Sequence, residues 1–429
     1  LHSFPTRRSS DLPVLELGGL IKLERIIALG AVAMQALSDR YNAAMGSQHG
    51  SYQPVPNLPV QFMATYHPAA VLRNPDYYPV LRRDLERFFR RGPVAGASHI
   101  SYTMCESAED LYRQTYNVVG DWAFDVETDN LDPRAGKIVA LGLYHADRGP
   151  IIVPERLVYD GVCQVILREL FENPTNAFTG HNAKFDAKWI SLCLGVVPNV
   201  VHDTMLMHYT LDETRGTHGL KSLVIDYFGD DYGIDTKDIR KVPLDTVYKY
   251  LAKDVMYTTA LRQELQQELQ DTDLWERPYL EPLMKAERAL IHVELAGVPV
   301  DVAALQALDR DLAAEIARLE ADIRRMSGKP DLNPRSPGQL ANVLYDVFKF
   351  PRVRTKTGGP RTTCAEAVAA WQRTRPHPIL DALTEFRRAE KIRSTYVTGF
   401  LSKVRDGRVY PEYLLHASVT GRLSAVDPA

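Results

Sequence analysis

The sequence predicts an α/β protein, a sheet flanked by helices and followed by a mainly helical region, and two periodicities predict it. Trp122, Phe124 and Val126 alternate with Ala123, Asp125 and Glu127, the two-residue period of a strand, and residues 138–144 and 151–153 read as a hairpin across an Asp147-Arg148-Gly149 turn. Further on, Leu305, Leu308, Leu312, Ile316, Leu319 and Ile323 recur at three and four residues, the stripe of a long amphipathic helix.

Taken in order, residues 23–37 read as strand, turn and helix, with Gly30 at the turn. A Gly/Ser/Gln/Pro-rich loop follows, then an extended stretch from Gln61 that ends at Pro68. Leu81, Leu85, Phe88 and Phe89 form the stripe of a helix that closes this unit at Gly92, and a Gly/Ala/Ser-rich linker leads on. After the strand and hairpin, helical patterns run over residues 162–171, 182–194 and 244–269, the last with Val247, Leu251 and Val255 on one side. Strands first and helices after is the expected order. The chain is largely helical from about Tyr279, interrupted by a basic Gly/Thr/Pro-rich loop over residues 352–360.

The totals exclude several classes. With 45% hydrophobic and 24% charged residues over 429, the composition is that of an ordinary globular protein with room for two to four domains. Fifty-one Lys and Arg against 54 Asp and Glu leave a net charge of −3, so a nucleic-acid partner would have to be held locally. Arg clusters at Arg82, Arg83, Arg87, Arg90 and Arg91, and at Arg387, Arg388, Lys391 and Arg393, read by default as solvated helix faces. Four scattered cysteines form neither a zinc motif nor a disulfide framework, and with no membrane-length apolar run and no signal-peptide core, a soluble cytoplasmic protein without a membrane partner is expected.

Chemistry concentrates in three places. Asp125 and Glu127, two apart on a strand, point to one face and can share a metal site. Asn182 and Asp186 stand four apart on a helical pattern, as do Tyr250 and Asp254. Singly, each has a bland alternative as a capping or solvated polar residue. Hydrolysis of a phosphodiester by two divalent ions needs several hard oxygen ligands converging on one spot, which is what four such acids could supply.

In this order, Asp-x-Glu, Asn-x-x-x-Asp and Tyr-x-x-x-Asp resemble the three motifs of the DEDDy 3′-5′ exonuclease superfamily, whose sheet is ribonuclease H-like. Asp203-Thr204-Met205-Leu206 and His218-Gly219-Leu220-Lys221-Ser222-Leu223 resemble its intervening segments, and the likeness covers about residues 100–273. It implies Asp125 bridging two ions, Mg²⁺ or Mn²⁺, Glu127 and Asp254 completing the first site, Asp186 holding the second, Tyr250 orienting the attacking water and Asn182 contacting DNA. No small-molecule cofactor is implied.

Residues 276–429 resemble the thumb and the start of the palm of family A DNA polymerases, through Glu294 to Asp301, Thr355-Lys356-Thr357-Gly358, Ser394-Thr395-Tyr396 and Thr420 to Pro428. That likeness implies contacts of Lys356 and Lys391 with a primer-template duplex and of Arg422 with the minor groove near the primer end. The polymerase's own aspartates would lie beyond residue 429. Residues 13–92 resemble the C-terminal part of a family 4 uracil-DNA glycosylase, through residues 27–31 and 66–75; by that likeness His67 would bond a flipped uracil, a vestigial role, and Leu72 and Arg73 would wedge the duplex. Residues 1–12 resemble a translated sequencing adapter, an expected non-native segment. Together these likenesses imply a proofreading exonuclease acting on a single-stranded DNA 3′ end. The alternatives are a non-catalytic DNA-binding scaffold and an RNA-trimming exonuclease with the same site.

Overall fold

The structure, a computed structural model, describes residues 25–38, 45, 49–50, 52–55, 61–90, 100–213, 218–233, 238–355, 359 and 361–426. The adapter-like segment and Lys356 lie outside the described residues. The chain divides into two compact units, residues 1–292 with 415–423, and residues 293–414 with 424–429.

At the start of the first unit is a three-stranded sheet, β1 (Arg25–Leu29), β2 (Tyr52–Pro54) and β3 (Gln61–Thr65), in the order β1-β3-β2, with β1 and β3 parallel. Helix α1 (Ala31–Ser38) buries Met34 against Ala28, Phe62 and Ala64. Helix α2 (Tyr78–Arg90) buries Leu81 and Phe88. Phe89, expected on the same stripe, is instead 69% exposed: successive helical residues diverge by about 100°, so Phe88 and Phe89 cannot share a narrow face.

The six-stranded sheet that follows comprises β4 (Thr103–Met104), β5 (Asp121–Thr128), β6 (Ile138–His145), β7 (Gly149–Pro154), β8 (Ala177–Gly180) and β9 (Val200–Asp203), in the order β4-β7-β6-β5-β8-β9. The β5/β6 and β6/β7 pairs are antiparallel, while β4/β7, β5/β8 and β8/β9 are parallel. The order is therefore mixed rather than strands first. Helix α3 (Gly161–Glu172) precedes β8, and α4 (Ala183–Leu194) links β8 to β9 as a parallel crossover requires. Four residues are too few for β8 or β9 to display an alternation. Helices α5 (Thr204–Leu211), α6 (Leu220–Phe228) and α7 (Leu244–Asp271) complete this layer.

Trp122, Phe124 and Val126 are buried, and Phe124 meets Phe171 and Phe178 edge-on at ring separations of 6.1 and 5.8 Å. Asp125 lies across from Gly142 of β6 and Glu127 across from Ala140. The register slips between Glu127 and Thr128, where β6 carries the extra residue, Val139; Asp129, past the end of β5, accepts from the Lys137 N–H at 2.6 Å and pairs with Arg240 at 2.8 Å.

Gly142 decides how closely α7 approaches. A Cβ there would lie 2.8 Å from Leu251 Cγ and 3.0 Å from Val255 Cγ1, two residues of the buried face of α7. The missing side chain lets the helix seat directly over the sheet, beside the strand that carries Asp125.

In the second unit, α8 (Val302–Ser327) buries Leu312, Ile316, Leu319 and Ile323 in one core with Leu380, Leu383 and Phe386 of α9 (Pro378–Lys391). The second Arg cluster is only partly a solvated face: Arg387 donates to the Thr363 carbonyl at 2.7 Å and Arg393 to Asp309 at 2.9 Å. Among the described residues no helix is long and apolar enough to cross a membrane.

Gly142→Ala should overpack this contact and destabilise the first unit by about 1–3 kcal/mol. Urea denaturation checks it; unchanged stability would show that α7 does not sit this close.

Candidate active site

Strand β5 sends Asp125 and Glu127 to the face opposite its buried aromatics, as alternation demands. Helix α7 supplies Asp254 three residues after Leu251. One oxygen from each of Asp125, Glu127 and Asp254 lies within 4.8 Å of the other two. The set offers oxygen donors only, which suits a hard divalent cation.

Asp186 enters from the first turn of α4. Its Oδ1 accepts from the Val126 N–H at 3.0 Å, on the part of β5 beyond Ala123 where pairing with β8 ends. That bond joins α4 to β5 between the two strand acids. Asp186 is outside the group of three, yet it is the strongest of the like charges acting on Asp125.

The α4 start is fixed by buried carboxylates. Asp203 accepts from the N–H groups of Asn182 at 3.1 Å and Ala183 at 2.7 Å, and also from Met205 at 2.8 Å at the head of α5. Glu287 accepts from the Lys184 N–H at 3.1 Å. Asn182 itself is left-handed, at φ 61° and ψ 43°, so it precedes the helix and does not share a helical face with Asp186 as its spacing suggested.

Burial, with repulsion between acids added to it, governs their protonation. Burial, then repulsion from Asp186, Asp254 and Glu127, raises Asp125 well above the usual carboxylate range. Asp186 and Asp254 are also raised, mainly by burial, and Glu127 is pushed up to about 7 by burial and by Asp254. Burial and the neighbouring acids raise the Tyr250 phenol, so it is protonated at neutral pH. His181, pushed down to about 3 chiefly by burial, is neutral.

Two groups beside Asp254 were not singled out from the sequence. Lys221 Nζ bonds Asp254 Oδ1, and Tyr232 donates to the same oxygen at 2.7 Å. Lys221 Nζ also lies 4.0 Å from the ring centre of Tyr250. The signal available was a lysine amid the apolar residues of α6, inside a segment already noted.

Residues 100–270 match the family model described as 3′-5′ exonuclease. Over that stretch the chain is similar to 3′-5′ exonuclease domains. Residues 302–429 match the model described as DNA polymerase family A. The DNA polymerase of Escherichia phage T5 is 28% identical over 410 residues, which cover 85% of this chain and 47% of that protein. DNA polymerase I of Synechocystis is 28% identical over 336 residues (71% and 32%), and the thermostable DNA polymerase I of Thermus thermophilus 40% over 144 residues (33% and 17%). The chain thus spans less than half the length of these relatives. A solved structure described as the POL domain of Pol1 from M. smegmatis in complex with DNA primer-template and dNTP has the same fold, with a TM-score of 0.64 at 23% identity, over 76% of this chain and 55% of that one.

The remaining candidates lie apart from the exonuclease pocket in sequence. Lys391 is exposed at the end of α9, and Arg422 is exposed. His67 is exposed and its Nδ1 accepts from the Ala69 N–H at 3.0 Å, a cap on the short helix Pro68–Arg73.

A carboxyl with a higher pKa folded than unfolded makes the folded state bind more protons between the two values, so its contribution to stability falls as pH rises. For Glu127 that window runs from the ordinary 4.5 to about 7. In EDTA, Glu127→Gln should therefore melt at a higher temperature than the parent at pH 8 and at a similar one at pH 4. A lower melting temperature for the variant at pH 8 would contradict the upward shift.

Proposed function

We propose that the exonuclease domain removes mononucleotides from a single-stranded DNA 3′ end, as the proofreading portion of a family A DNA polymerase. The convergence of three carboxylate oxygens within 4.8 Å, with Asp186 tied alongside, carries this reading. Asp125, Glu127 and Asp254 would hold one divalent ion, and Asp125 with Asp186 a second, Mg²⁺ or Mn²⁺. Such ions lower the pKa of bound water and neutralise charge developing on a phosphate. Around them, Tyr250, protonated, would orient the attacking water as a hydrogen-bond donor or acceptor, not as a base. Asn182, at the mouth of α4, would contact the strand.

In the polymerase-family region Lys356, Lys391 and Arg422 would bind duplex DNA, with phosphate contacts positioning it and carrying no sequence information. For residues 13–92 the parallel β1/β3 pair followed by the His67 turn supports the glycosylase-like reading, with His67 a vestigial uracil contact. A non-catalytic scaffold is disfavoured because all four acids are present. The polymerase-family region disfavours an RNA substrate.

Incubated with Mg²⁺, a labelled single-stranded deoxyoligonucleotide should shorten from its 3′ end, faster than the matching ribo-oligonucleotide. Asp125→Ala should slow it by about a thousandfold or more, the loss of several kcal/mol at a factor of ten per about 1.4 kcal/mol. Degradation that persists in excess EDTA would refute the metal-dependent reading.

A further inference from the structure

Lys221 lies in the first turn of α6, and its ammonium reaches into the acid pocket. It bonds Asp254 Oδ1, donates to Tyr232 Oη at 3.2 Å, and lies 4.5 and 4.0 Å from the ring centres of Tyr232 and Tyr250. Two aromatic faces and a carboxylate make this a built seat for a cation rather than a passing surface contact. The nearby Lys253 also approaches the Tyr232 ring, 5.2 Å from its centre, but its ion pair is with Asp230 at 3.0 Å. Lys221 is also the cation that eases the charge on Asp125, Glu127 and Asp254 alike.

We propose that Lys221 is a resident counter-cation of the carboxylate pocket: it holds the acids together in the metal-free protein and competes with the divalent ions, so that it sets the metal concentration at which the site fills. This rests on the metal-binding reading above. A unit positive charge a few ångströms from a dication opposes its binding strongly at protein-interior dielectric. Removing the charge has two opposite consequences. The acids lose their partner when no metal is bound, and an incoming ion meets less resistance. A residue that merely held α6 in place would give the first effect and not the second.

The test is Mn²⁺ binding, followed through the paramagnetic resonance of free Mn²⁺, together with melting temperature in EDTA and in Mn²⁺, for the parent, Lys221→Met and Lys221→Arg. Expected are a dissociation constant at least about tenfold tighter for Lys221→Met, a melting temperature about 5 °C lower in EDTA, and recovery of most of that loss in Mn²⁺. Lys221→Arg, which keeps the charge, should bind Mn²⁺ within about threefold of the parent. Unchanged or weaker Mn²⁺ binding by Lys221→Met, or equal destabilisation with and without the ion, overturns the counter-cation role while leaving the metal site intact. Parent protein whose Mn²⁺ binding is unaffected by Asp125→Ala overturns both readings.

Discussion

The cost of gathering carboxylates in a pocket that withholds water is the constraint to which the six-stranded sheet and its helices are built. Left to themselves, the acids from β5 and α7 would separate or take up protons. They remain together because each is anchored by something besides the other acids: two by the pleat of one strand, Asp254 by the seating of α7 over Gly142 and by bonds from Lys221 and Tyr232, and Asp186 by the Val126 N–H. The apolar core beneath, with Trp122 and Phe124 fully enclosed, provides the rigidity that this electrostatic strain requires.

A second layer of carboxylates does structural work. Asp203 joins the heads of α4 and α5, and the Tyr279 hydroxyl accepts from its N–H at 3.2 Å. Though just as acidic in the text as Asp186, Asp203 spends its lone pairs on main-chain amides. Asp186 also takes a main-chain amide, that of Val126, and so ties α4 to β5, whereas Asp203 ties α4 to α5.

What could be read beforehand follows from range. An eight-residue alternation and a 28-residue helix announce themselves through periodicity, and with them came Asp125, Glu127 and Asp254. Strands β8 and β9, four residues each, carry no such signature, so the mixed sheet was missed. Asn182 misled because the text shows its spacing and not its left-handed backbone. Lys221 and Tyr232 stand 33 and 22 positions from Asp254, and nothing local to either specifies that meeting. Resemblance supplied the order of the motifs; tertiary structure supplied the neighbours.

Strand β5 stops one residue short of a third acid on the same alternation. Asp125, Glu127 and Asp129 are spaced so that an unbroken strand would turn all three to the same side. Strand β5 ends at Thr128, and Asp129 beyond it is held by a guanidinium and an amide instead. A fifth acid would add a further negative charge to a pocket where Asp125, Glu127 and Asp254 already resist ionisation. Where the strand stops thereby limits the negative charge that the pocket collects.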